Sequence, residues 1–508
     1  MSPMAETILD LLARGRADDP AVLAPGKRAL TFGELRAHAR RIAAVLAAHG
    51  VGRGDRVAIA LPNGPRSATA FLSVASFVTA APLNPALSGR ELEFSLRDLG
   101  ARMLLMPDGA DGVLRRVAES LGLEVLGVRG GDDGPAGWFE LAGQAATAGE
   151  FAVPRTGPDD VALVLQTSGT TSRPKTVPLR QRNLAASARH VREALRLTAA
   201  DRCLNVMPLF HIHGLVACLL APLSAGGCVC CTAGFNPLRF FSDLAESGAT
   251  WWSAVPTMHQ AILARAARNA ERIAASRLRF IRSSSSPLPP SVARDLESVF
   301  GAPVIEAYGM TEAAHQVASN PLPPGVRRPG SVGPAAGPEV AIMDERGNLL
   351  PPGTAGEIVM RGPNVFDGYE ARPDANAESF VDGWFRTGDQ GVMDADGYLT
   401  LTGRLKEIIN RGGEKISPRE IDEALLEHGA VRQAVAFAIP HPLLGEDVGA
   451  AVVLKEGARA TENELRAFVA ERLAAFKVPA TLRIVEELPR GATGKVRRLE
   501  MARQLGLA

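Results

Sequence analysis

The chain has 508 residues, a formal net charge of +1, and 46% hydrophobic and 22% charged residues, values of a globular protein with a large core. So small a net charge gives no global field for nucleic acid or an anionic membrane. At about 100–200 residues per domain, the length allows two to four structural units.

The opening residues, 1–19, contain no uninterrupted apolar stretch of the kind a signal peptide needs. Residues 57–61 read as a buried strand, ended by Pro62-Asn63-Gly64, and the Gly- and Asp-rich residues 127–137 as a surface loop. Residues 161–165 are a second strand. Leu184, Ala188, Val191 and Leu195 then keep one helical face, with a cap expected at Asn183. The apolar residues 214–235 are interrupted by Pro222, Gly226 and Gly227 and do not read as a membrane span. Five cysteines, Cys203, Cys218, Cys228, Cys230 and Cys231, are odd in number and too few for a disulfide framework. They fit reduced thiols in a cytoplasmic protein. The last three are spaced too tightly for usual zinc ligands and read as a strand. The C-terminal Gly506-Leu507-Ala508 is not a peroxisomal signal. The alternation of strands and helices predicts an α/β architecture with mainly parallel sheets.

The pattern changes near residue 400. Asp394-Ala395-Asp396-Gly397-Tyr398 predicts a turn into a strand. Ser417, Pro418 and Glu420 predict a capped helix start with a capping box, as do Thr461 and Glu464. Residues 431–439 read as a strand between them. The last hundred or so residues therefore predict a small α+β domain.

The chemistry-bearing segments begin with Thr167-Ser168-Gly169-Thr170-Thr171-Ser172-Arg173-Pro174-Lys175, directly after the second strand. Small residues admit a phosphate close to the backbone, their N–H and hydroxyl groups donate to it, and Lys175 adds a charge. The spacing is not that of a Walker loop. Further along come Tyr308-Gly309-Met310-Thr311-Glu312, Thr387-Gly388-Asp389, Gly403-Arg404-Leu405-Lys406-Glu407, Gly412-Gly413-Glu414-Lys415-Ile416-Ser417-Pro418 and Gly494-Lys495.

In order and spacing this set resembles the adenylate-forming superfamily: acyl-CoA synthetases, standalone adenylation domains and luciferases. The resemblance covers nearly the whole chain. It implies a large N-terminal AMP-binding domain of stacked αβ subdomains (residues 1–403), a hinge (404–406) and a small mobile C-terminal domain (407–508). It implies ATP and coenzyme A as co-substrates and Mg²⁺ as cofactor, with Glu312 holding the metal and Thr311 contacting the α-phosphate. Tyr308 would stack on adenine, with Ser285, Glu306 and Ala307 in the same nucleotide set. Asp389 would bind the ribose, with Arg404 close by. Lys495 would bridge the carboxylate and α-phosphate oxygens. Lys406 stands at the pivot, and Arg411, Gly412, Gly413 and Glu414 would face the adenylate for thioester formation. Ser172 and Thr176 replace glycines usual in the family, and Ser283 to Ser286 make the adenine-side segment more polar.

Pro208-Leu209-Phe210-His211-Ile212-His213-Gly214 matches the segment lining the acyl pocket, with His211 as the pocket residue and His213 as a structural one. Phe280-Ile281-Arg282-Ser283, Met310 to Gln316, Val255 to Gln260 and Ser319 to Pro323 resemble the oxalate–CoA ligase branch. A small dicarboxylate needs donors for its second carboxylate, because an unpaired buried charge is costly. His211, His315, Ser284, Ser285 and Arg282 are available, although His259 and His315 also fit as core or surface histidines and Arg282 as a residue of the far strand face. The expectation is a ligase forming acyl-CoA from oxalate through an acyl-adenylate. Malonate is the near alternative, weakened by Ala307 where malonyl-CoA synthetases tend to carry arginine. A medium-chain or aromatic acyl-CoA synthetase, an enzyme loading a carrier protein, and a non-catalytic nucleotide-binding relative stay open.

Overall fold

Long apolar runs bounded by turn residues fold as parallel strands buried on both faces. The computed structural model describes residues 6–110, 112–131, 134–142, 155–167, 174–489 and 496–507. The chain forms two compact units, the larger from residues 1–340 with 360–385 and the smaller from residues 341–359 with 386–508.

The larger unit holds two sheets. In the first, Val304–Met310, Phe280–Ser283, Trp251–Ala254, Arg202–Asn205, Cys228–Cys231 and Pro20–Leu23 lie side by side and parallel, in that order, with antiparallel His315–Ser319 and Leu30–Thr31 at its edges. In the second, Glu124–Arg129, Met103–Pro107, Arg56–Ile59, Thr79–Pro82 and Val161–Thr167 are parallel, with antiparallel edges Glu140–Leu141 and Lys175–Arg180. Flanking helices pack Phe241, Leu244, Ile262 and Leu296 against Trp252 and Ile281 of the first sheet. The thiols of Cys228, Cys230 and Cys231 are free, and these residues form the buried strand their spacing predicts. No helix among the described residues is long and apolar enough to cross a membrane.

Three local expectations change. The helix expected to start at Asn183 spans Gln181–Ala194 and is capped at Arg180. Asn183 sits three residues inside it, accepts from the Arg180 N–H (2.8 Å) and donates to the carbonyls of Pro363 (2.9 Å) and Val365 (3.0 Å). The glycine-rich residues 127–137 begin inside the strand Glu124–Arg129, where Gly127 leaves space for the side chain of Asp108.

In the smaller unit, Glu414–Ile416, Ile409–Arg411, Gly445–Leu454 and Val431–His441 form an antiparallel sheet, and Thr481–Ile484 joins it in parallel. The helices Pro418–Leu426 and Glu462–Ala470 bury Ile421, Leu425, Leu465 and Val469 against the sheet, which makes this the expected α+β unit. Thr461 and Glu464 form the predicted capping box. Ser417 does not, which is the third change: its hydroxyl donates to the Thr402 carbonyl, and Glu420 pairs with Lys477 (2.7 Å). Residues 389–393 pair antiparallel with Leu399–Arg404 across the predicted turn, whose Asp394 carboxylate accepts from the N–H of Asp396 (3.0 Å) and Tyr398 (2.8 Å).

Candidate active site

The carboxyl ends of parallel strands in an open α/β sheet form a ligand crevice. Four such ends carry the polar residues of the first sheet. Asn205 ends one strand, and its side-chain amide donates to the Gly214 carbonyl (3.2 Å), anchoring the π-helix His213–Leu220. Single π-helical turns collect at functional sites.

Arg282, in the next-but-one strand, is fully buried (0% exposed). Its Nη2 donates to His315 Nε2 (3.0 Å) and Gln316 Oε1 (3.1 Å), and its Nη1 to Ser253 Oγ (3.3 Å), with His213 Nε2 at 3.5 Å. All these partners are neutral groups. The His213 and His315 rings stack with centroids 5.0 Å apart. His213 also reaches Ser253 Oγ (2.6 Å) and Ser285 Oγ (3.0 Å). Half-buried His211 accepts from the His213 N–H (3.3 Å). Ser284 gives its proton to the Ala307 carbonyl (3.0 Å), and His259 faces the Arg282 carbonyl (3.3 Å).

Burial sets the electrostatics, because it disfavours charge. It pushes Arg282 down to about 10, so the guanidinium stays protonated at neutral pH. Burial, reinforced by Arg282 and His211 and, for His213, by His315, holds His213 and His315 well below the ordinary histidine range. His259 is lowered by burial to about 4. The cluster is one cation ringed by neutral imidazoles, hydroxyls and an amide.

His315 takes its place through strained backbone. Ala314 and His315 have φ of 47° and 102°, sparsely populated for non-glycine residues. The hairpin closes so tightly that a Cβ at Gly309 would overlap the His315 carbonyl oxygen, which explains glycine in the Tyr308-Gly309-Met310 segment.

The same hairpin carries Thr311, half-buried, and Glu312, 5% exposed. Glu312 Oε1 accepts from the Tyr369 hydroxyl (2.9 Å), and Lys175 Nζ sits 4.3 Å from the Tyr369 ring centroid. Buried Glu306 accepts from the Gly330 N–H (3.2 Å), and buried Tyr308 lies in the strand Val304–Met310. Thr167 is half-buried beside Lys175, its hydroxyl 3.4 Å from that residue's carbonyl. Ser168, Gly169, Thr170, Thr171 and Lys495 lie outside the described residues.

In the smaller unit, Arg404 Nε meets the buried carboxylate of Asp389 at 3.1 Å, as direct cross-strand partners. Lys406 is exposed on the short turn Leu405–Glu407. Arg411 pairs with Asp447 (2.7 Å), and exposed Gly412 and Gly413, with φ of 56° and 96°, turn the chain into Glu414. Both φ values lie in the left-handed region that favours glycine.

Sequence reasoning missed Ser253, Gln316 and Tyr369 as site residues. Ser253 had a signal, a lone hydroxyl in a wholly buried apolar strand, since buried polar groups need partners. Tyr369 had none, being 57 residues from Glu312.

Residues 9–370 match the model of the AMP-binding enzyme family, and residues 420–495 that of the AMP-binding enzyme C-terminal domain. The chain belongs to the AMP-binding enzyme family. This enzyme is 44% identical over 496 residues to the oxalate–CoA ligase of Arabidopsis thaliana, covering 97% of this chain and 96% of that one. It is 41% identical over 489 residues to the sulfoacetate–CoA ligase of Cupriavidus necator, covering 95% and 94%. A crystal structure of ATP-bound MatB from Rhodopseudomonas palustris matches it with a TM-score of 0.88 at 31% identity, covering 99% of this chain and 98% of that one. The resemblance read from the motif set holds: the enzyme is an adenylate-forming acyl-CoA synthetase, an ATP-dependent acid–thiol ligase.

Proposed function

We propose that the enzyme couples oxalate to coenzyme A through oxalyl-adenylate, releasing AMP and pyrophosphate. The observation that carries this reading is Arg282, a wholly buried cation whose hydrogen-bond partners among the described residues are all neutral. A buried charge without a counter-charge is costly, and a bound anion relieves that cost. The distal carboxylate of a very short diacid supplies that anion, whereas a fatty acid would meet a cation where it needs an apolar tunnel. The 44% identity to an oxalate–CoA ligase supports the same reading.

Joining a carboxylate to the α-phosphate of ATP brings two anions together, so the work is positioning and charge neutralisation. Lys175 and the Thr167 to Thr171 segment would hold the phosphates, Thr311 would donate to the α-phosphate, and Lys495 would bridge the reacting oxygens. Buried Glu312 offers the hard carboxylate oxygen that Mg²⁺ takes, and Tyr369 orients it. The ion would neutralise phosphate charge. Tyr308, Glu306 and Ala307 would line the nucleotide, Ser285 would stand between nucleotide and acid, and Asp389 with Arg404 would hold the ribose. Rotation of residues 407–508 about Lys406 would then exchange Lys495 for the Arg411 to Glu414 turn, whose glycines leave room for a pantetheine arm.

The test is AMP release by purified enzyme with ATP, CoA and a panel of oxalate, malonate, sulfoacetate and octanoate. Oxalate is expected to give the highest kcat/KM. Faster turnover of octanoate would overturn the reading, and faster turnover of malonate or sulfoacetate would keep the cationic site but replace the acid.

A further inference from the structure

Ser253 is fully buried and is the one polar residue of the strand Trp251–Ala254. Its Oγ lies 3.3 Å from Arg282 Nη1 and 2.6 Å from His213 Nε2. A guanidinium has donors and no acceptor, so the serine oxygen accepts from it. Ser253 Oγ keeps its proton and a second lone pair, either of which can face His213 Nε2. Arg282 Nη1, 3.5 Å from that same nitrogen, can only donate. That contact assigns Nε2 the acceptor role, without a proton of its own, and turns the Ser253 proton toward it. Burial keeps the ring neutral, so the proton of His213 resides on Nδ1, which faces Ser285 Oγ at 3.0 Å. Ser285 is half-buried at the open end of this chain, with φ of 72°.

We propose that Ser253 is a positioning residue: it carries the donor direction of Arg282 through His213, so that Ser285 accepts from the imidazole and presents its own O–H to the carboxylate of the bound acid. The opposite polarity would turn the lone pairs of Ser285 toward an anion and repel it. Chains of hydrogen bonds polarise one another, so a charged first member strengthens the last donor. The inference rests on the reading that a small anionic acid occupies this site, and it adds Ser253 and a fixed His213 tautomer to that reading.

Two measurements test it. The first is ¹⁵N NMR of the full-length enzyme with labelled histidine, His213 being assigned by comparison with His213→Gln. The Nδ1–H tautomer is expected in the ligand-free enzyme, and the Nε2–H tautomer would overturn the proposal. This readout needs no substrate, so it stands or falls independently of which acid the panel selects. The second is steady-state kinetics with the panel's best acid. Ser253→Ala is expected to raise KM for the acid about tenfold, the worth of one charge-assisted hydrogen bond, with KM for ATP unchanged and Ser253→Thr restoring acid binding. An unchanged KM for the acid, or equal increases for acid and ATP, would contradict the relay.

Discussion

At the scale of single residues, burial decides which groups are charged. Glu312 is held by the Tyr369 hydroxyl beside Lys175, a cluster suited to a metal-bound phosphate. Glu312→Gln is expected to lower the adenylation rate by about 100-fold or more while leaving the melting temperature within a degree or two, as expected when one electrostatic stabiliser is lost; pyrophosphate exchange and a thermal melt check this. His38 tests the same physics away from the site. Its ring packs 4.6 Å from Trp138 and from Phe139, neither ring nitrogen has a hydrogen-bond partner among the described residues, and burial, with Arg41 nearby, lowers it to about 3. An unfolded histidine titrates near pH 6.5, so below that pH the unfolded chain takes up a proton the native state refuses. Stability is therefore full above about pH 6.5 and falls as pH drops, by at most about 1.4 kcal/mol per pH unit for this group. His38→Phe is expected to flatten part of the fall in melting temperature between about pH 7 and pH 5; an unchanged slope would contradict the assignment. The sequence could nominate Arg282 and His315 as donors, but not the way they face, because alternate strand residues point to opposite sides.

At the scale of elements, runs of local pattern were legible and partners distant in sequence were not. The strands near residues 57 and 161, the Asp394 turn and the Thr461 cap follow from neighbours a few residues apart. Ser417 carries the same local signal as Thr461, yet its hydroxyl goes to Thr402, and Asn183 is drawn inside its helix by Pro363 and Val365. In both cases a carbonyl acceptor distant in sequence decides where the side chain goes. The hairpin that presents His315 and Glu312 depends on Gly309, where any side chain meets the His315 carbonyl. Gly309→Ala is expected to destabilise the protein by about 1–3 kcal/mol and to raise KM for the acid, since His315 must shift. Denaturant unfolding and steady-state kinetics read the two effects, and a wild-type KM would argue against His315 in the acid site.

At the scale of the whole molecule, an ordered series of motifs from Thr167 to Lys495 made the adenylate-forming fold legible, because so many separate motifs in one order and spacing point to one family. The company that residues 341–359 keep with residues 386–508 was not legible: it is made by bonds such as Thr387 Oγ1 to the Ile358 carbonyl (2.7 Å) and Gly388 N–H to Glu357 (2.9 Å), which leave no periodic trace. The two-step reading predicts separable defects. Lys495→Ala is expected to abolish most adenylation, whereas Gly413→Val is expected to spare pyrophosphate exchange and slow thioester formation by at least about tenfold, the effect of crowding a close-approach glycine. Equal loss of both half-reactions in Gly413→Val would argue against rotation about Lys406. Beneath both steps lies the claim that a buried guanidinium chooses the acid. The most direct test is oxalate-dependent ATP–pyrophosphate exchange by wild type and Arg282→Met, with ATP binding measured alongside. The account predicts that kcat/KM for oxalate falls by about 10- to 150-fold, the worth of a hydrogen bond to a charged group, while ATP affinity holds; oxalate exchange at the wild-type rate in Arg282→Met would contradict it.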